Sequence, residues 1–199
     1  MAQEMPKRMF SASDDALLSR AVNMQQAAVT YQTQLADYGF TAAMITALDT
    51  AIEEAIVFPT DEIKLLEITE ATQLADAKEE ELREAIRAIV TRAILVWGEK
   101  SVRVAQFRAE TLSKQTREIL RGTAGRVVDM ANRYATELAT KGVTPAMIAA
   151  VTTASDELKT AISNLMDAED SRRDASEERV SKLNGIYEML QELSVAGKN

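Results

Sequence analysis

Apolar residues at 82, 86, 89, 93 and 96 alternate spacings of four and three, the stripe by which a helix joins a bundle. Similar periodic stretches run up to Gly39 and Gly142. The pattern places helices near 12–38, 41–57, 60–97, 101–140, 144–164 and 167–195. Thr60 after Pro59 suits the cap of the third helix, with Asp61 and Glu62 favourable in its first turn. Trp97-Gly98 marks its end. An unbroken helix over 60–97 would be about 57 Å long, so the expected molecule is elongated.

The pattern also repeats. Residues 31–47 read YQTQLADYGFTAAMITA and residues 134–150 read YATELATKGVTPAMIAA. At a constant offset of 103, thirteen of the 24 positions from 31 to 54 are identical. Chance in an alanine-rich chain gives roughly two or three. The shared residues spell a helix–turn–helix corner. Gly39 and Gly142 end a helix in the left-handed conformation that glycine tolerates best. Phe40 and Val143 then sit over Leu35 and Leu138, as in a Schellman ending. Thr41 and Thr144 follow as N-caps, and Pro145 fits the first helical position. Ile45 and Ile148 complete a hydrophobic staple with the residue after the glycine. Tyr31 and Tyr134 lie four before the leucines, on the same helix face. The identities Thr33/Thr136, Thr50/Thr153 and Glu54/Glu157 have no such reading.

A looser echo pairs DAKEE (76–80) with DASEE (174–178), at an offset of 98. Each copy then holds three helices. The expected fold is all-α, an elongated bundle of about six helices built from two tandem three-helix repeats with pseudo-twofold symmetry. After a flexible N-terminus over 1–11, the repeats span 12–98 and 99–199. Units that cannot bury their apolar faces alone pack on each other, so one domain is expected.

Composition narrows this picture. The chain has 199 residues with only 7 glycines and 3 prolines, which leaves few turns and favours long helices. It has neither cysteine nor histidine. Disulfides, thiolate chemistry and the most accessible proton shuttle near neutral pH are therefore missing. No stretch approaches the roughly 20 apolar residues of a membrane span, and the start lacks a signal-type apolar run. A cytoplasmic protein is expected, without a cofactor or bound metal.

The net charge of −8 weighs against nucleic acid as a partner, but the charge is uneven. Residues 60–84 carry nine acids against three bases, and residues 100–133 carry eight bases against three acids. Lys114, Arg117 and Arg121 fall three and four apart, a spacing that could present phosphate contacts on one helical face. Arg121 and Arg126 flank the only close glycine pair, in RGTAGR (121–126), and with the others form a candidate anion or nucleic-acid contact. The competing reading pairs this basic segment with the acidic one inside the protein. EITE (67–70) and EEELRE (79–84) offer carboxylates but no alternating calcium-type ligand loop. Their simplest use is a solvated helix face with pairs such as Glu79 to Arg83. Met24, Met44, Met130, Met147, Met166 and Met189 suit core filling, or else an adaptable binding groove.

Catalytic residue sets are missing, and the repeated residues shape a corner. The expected function is a non-catalytic scaffold or adaptor that binds another protein or a second copy of itself. One alternative is anion or nucleic-acid binding through 100–133. Another is a small-molecule sensor with a pocket between the repeats.

Overall fold

A computed structural model describes residues 6–109 and 111–198, and among them every regular element is a helix. Helix α1 (Asp14–Thr30) starts on Ser13, whose hydroxyl accepts from the Ala16 N–H. It bends at Tyr31 into the short α2 (Gln32–Ala36), and α3 (Ala42–Val57) comes after the first corner. Helix α4 (Asp61–Trp97) begins on Thr60 and ends at Gly98, which has φ of +84°. Next come α5 (Val102–Ala105), a 3-10 turn (Leu112–Lys114), α6 (Arg117–Arg133) and the short α7 (Ala135–Ala139). Helix α8 (Pro145–Ala196) completes the described chain. No helix among the described residues is long and apolar enough to cross a membrane.

Two expected boundaries change. The stretch 101–140 is not one helix. Arg108 takes a left-handed φ of 51°, Gln115 is extended, and Thr116 caps a fresh helix by accepting from Ile119 N–H. Side-chain capping at Thr116 competes with continued helix, so the chain starts again there. The break expected between 164 and 167 does not exist. Between Pro145 and Gly185 the sequence offers no glycine or proline, and α8 runs through.

The chain divides into two compact units, one running to Leu65 and resuming at Asp170, the other Leu66–Glu169. Each has its own core. In the first unit, α1, α2 and α3 bury Leu17, Leu35, Phe40, Leu48 and Ile52 with Ile186 and Leu190 from the end of α8. The N-terminus expected to be flexible over 1–11 is held before α1: Asn184 accepts from Met9 N–H and donates to the Lys7 carbonyl, Phe10 packs on Tyr187, and residues 1–5 lie outside the described residues. In the second unit, α6, α7 and the start of α8 bury Leu120, Leu138, Val143 and Val151 with Leu82, Ile86 and Ile89 of α4.

Neither core respects the consecutive grouping 12–98 and 99–199. The helix that completes each corner comes from the other half of the sequence. The DAKEE/DASEE echo is correspondingly not the packing register, because an offset of 98 would map Leu82 and Ile86 onto the half-buried Val180 and Asn184. An offset of 104 maps the buried Leu82, Ile86 and Ile89 onto the buried Ile186, Leu190 and Leu193. The same register carries Lys78 onto Lys182. Lys78 pairs with Glu157 and Lys182 with Glu54, each at 2.9 Å. The identity Glu54/Glu157 therefore has a use: each glutamate anchors the lysine of the helix laid across its corner. Thr33 and Thr136 are both exposed, and nothing in the structure explains their identity.

Candidate functional site

The basic segment does not assemble an anion cradle. Lys114 ends the 3-10 turn and is separated from α6 by extended backbone, so it shares no helical face with Arg117 and Arg121. Arg117 is committed to acids, with Nη2 at 2.6 Å from Asp76 and Nε at 3.0 Å from Glu79. Burial alone would lower the pKa of Arg117, but those two bonds outweigh it and raise the value. Arg83 reaches Glu79 at 2.5 Å and donates to the carbonyls of Leu112 and Gln115. The acidic and basic blocks thus meet within the second unit, where they tie the connection before α6 to α4. Arg121 is half-buried, and Arg126 is exposed on the same helix. Gly122 and Gly125 lie inside α6, and a Cβ on either would meet no atom within 4 Å. They form neither a loop nor a close helix contact.

Asp61 and Glu80 serve ion pairs with Arg172 and Arg87. Bonding from Arg172 lowers the Asp61 pKa, and bonding from Arg87 lowers that of Glu80. Among the described residues no group of three or more Asp, Glu, His or Cys side chains is placed to hold a metal ion.

The two corners have nearly superposable local geometry. Gly39 and Gly142 have φ of +85° and +79°. Phe40 N–H donates to the Leu35 carbonyl (3.0 Å) and Val143 N–H to that of Leu138 (3.2 Å). Gly39 donates to Ala36 and Gly142 to Ala139, both at 3.0 Å, which completes a Schellman pair at each corner. Leu35, Phe40 and Ile45 are buried, as are Leu138, Val143 and Ile148. Tyr31 and Tyr134, at φ/ψ of −106°/23° and −111°/26°, mark the same bend. Only the caps differ. The Thr144 hydroxyl accepts from Met147 N–H, and Pro145 opens α8, whereas Thr41 makes no side-chain cap bond.

Their surroundings differ more. At the second corner, Trp97 stacks edge-on against Tyr134, with ring centres 5.1 Å apart, and lies 6.4 Å from the buried Phe107. The Trp97 indole N–H donates to Glu137 (2.7 Å). Arg103 pairs with the same carboxylate and lies over both the Trp97 and Tyr134 rings. At the first corner the corresponding space is an open groove of about 750 Å³, walled by Ala28, Tyr31, Gln34, Leu35 and Tyr38 and by Leu193 of α8. A second depression of about 490 Å³, shared at Tyr38 and Ala196, extends it past Met44 and Val195. Tyr31, Tyr38 and Val195 are 58%, 54% and 63% exposed.

No protein-family model, curated protein or solved structure matches this chain. The chemistry of the groove therefore rests on its own residues. Sequence periodicity places Tyr31 on the Leu35 face and offers the methionines, Met24 and Met44 among them, as core filling or groove lining, but gives no role to Tyr38. The available signal is Tyr38 standing where the other corner has Lys141, an aromatic beside a helix end with no apolar stripe to join. The roof formed by residues 97–107 is hidden in the sequence, inside a stretch whose pattern reads as the start of a helix.

Proposed function

We propose that this chain is a non-catalytic helical scaffold, derived by duplication of a helical corner, that binds another protein through the groove beside its first corner. The supporting observation is the contiguous exposure of Tyr31, Tyr38 and Val195 around that groove. Large aromatic and aliphatic side chains left together at a surface are typical of an interaction site. Arg117 and Arg83, with Asp76 and Glu79, are engaged in structural pairs that join the basic segment to the acidic one.

The test places a photo-crosslinking amino acid at Tyr38 in the full chain, in its native cells, with a control at the exposed Arg126. A discrete adduct at 38 that is absent at 126, and that disappears with Tyr31→Asp, supports the reading. Identical adducts at both positions, or none at 38, would end it.

A further inference from the structure

The groove at the first corner has the form of a slot whose counterpart is full. At an offset of 103, Ala28, Tyr31, Gln34 and Leu35 correspond to Ala131, Tyr134, Glu137 and Leu138. At the second corner, Trp97 and Arg103 lie against Tyr134 and Glu137 of that set. The last described helical residue of α8 is Ala196, and the described residues after it, Gly197 and Lys198, line the groove with Tyr31 but bring no aromatic ring to it as Trp97 does to Tyr134.

From this correspondence we infer the chemistry of the occupant: a tryptophan at the C-terminal end of a partner protein's helix, with an arginine within a few residues after it. This rests on the reading that the groove binds protein and adds what it selects. The indole would stack edge-on against Tyr31 and donate its N–H to the Gln34 side-chain oxygen, which stands where Glu137 accepts from Trp97. The arginine would lie over the exposed Tyr31 ring, as Arg103 lies over Tyr134, with the Asp37 carboxylate at the groove wall as its ionic partner. A flat aliphatic segment would use the groove's apolar wall but make no bond to the exposed Gln34 and Asp37 oxygens.

The chain supplies its own probe. A fluorescent peptide of residues 95–109, LVWGEKSVRVAQFRA, is titrated with the full-length protein and monitored by anisotropy. Saturable binding is expected, weakened about tenfold or more by Tyr31→Ala in the protein or by Trp97→Ala in the peptide. Because Tyr31 is 58% exposed, Tyr31→Ala should leave the helical signal and the melting transition in place. Gln34→Glu, which gives the first corner the acceptor of the second, should tighten binding, and Gln34→Lys should weaken it. Failure of both wild type and Gln34→Glu to bind overturns the inference. So does binding that responds to Tyr134→Ala but not to Tyr31→Ala. If the peptide fails while a partner still crosslinks at position 38, the tryptophan–arginine specificity is wrong and the docking groove stands. If both fail, the groove is not an interaction site.

Discussion

Tyr31 and Tyr134 occupy the same bend in two corners built by the same residues. One ring is packed against Trp97, which itself lies beside Phe107, with Arg103 across it, and the other faces an open groove. The corners themselves do not cause this difference. It lies in what covers the outer face of each among the described residues. Helix α4 continues past Ala93 for another turn and leads into residues 98–109, which fold back over the second corner. A corner of this kind thus sets its turn by local grammar and buries its leucine and staple residues with the helix laid across it, while its outer face needs a separate segment. At the second corner residues 97–107 supply that segment, whereas at the first no segment among the described residues covers Tyr31 and its ring is at the surface.

The largest expected effect comes from dismantling the roof. Phe107 is fully buried, so Phe107→Ala should cost about 3–5 kcal/mol, read from urea unfolding. Trp97 is the only tryptophan, and its emission should shift to the red as its neighbour is lost. A cost below about 1 kcal/mol, in the range of ordinary surface substitutions, would mean that the roof is an ornament on the second corner.

Next in size are the glycines. Gly39→Val and Gly142→Val should each cost roughly 1–2 kcal/mol, because a β-branched residue resists the left-handed conformation. Neither position has an atom within 4 Å of an added Cβ, so the two losses should match despite the different surroundings. Gly122→Ala, inside α6 and exposed, should instead stabilise by up to about 1 kcal/mol. Unequal losses at the two corners would show that the roof strains or relieves the turn beneath it.

These glycines are legible in the sequence because their conformation is demanded locally. A periodic helix, a glycine, an apolar residue and a threonine fix the turn without reference to the rest of the molecule. The helical class is legible for the same reason, from scarce glycine and proline. Partnership is not legible. Leu82, Ile86 and Ile89 present an apolar stripe that any corner could accept, and nothing local says that it covers residues 120–151 rather than 17–52. The DAKEE/DASEE echo points to the wrong register because those acids face solvent or ion pairs and carry little packing information. The groove is illegible because it is defined by how the described elements leave Tyr31 uncovered, which no residue pattern marks.

A smaller contrast concerns the caps. The Thr144 hydroxyl accepts from Met147 N–H at 3.3 Å, while Thr41 makes no equivalent bond. Thr144→Ala should therefore cost about 1 kcal/mol, and Thr41→Ala only a few tenths, again by urea unfolding. Equal costs would imply that Thr41 caps its helix in solution as Thr144 does.

The finest comparison is between the two lysine anchors, Lys78 on Glu157 and Lys182 on Glu54. The pKa of Lys78 is raised by hydrogen bonds from its ammonium to Glu81 and Glu157, and that of Lys182 mainly by the bond to Glu54. A raised lysine pKa means that the folded state holds the proton more tightly. The resulting stability is fully present below the ordinary lysine value of 10.5 and is lost as the pH climbs through the higher folded value. Glu157→Gln and Glu54→Gln should each lower the melting temperature at pH 7 by a small and similar amount, and each difference from wild type should vanish above that folded value. Asp61 and Glu80 act with the opposite sign, since their lowered values add stability above about pH 4 that disappears as acid protonates them. Both lysine pairs are partly open to water, so added salt should shrink their effects together. If Glu157→Gln keeps its deficit at alkaline pH while Glu54→Gln does not, the second corner's glutamate is held by packing, and the two anchors are not equivalent.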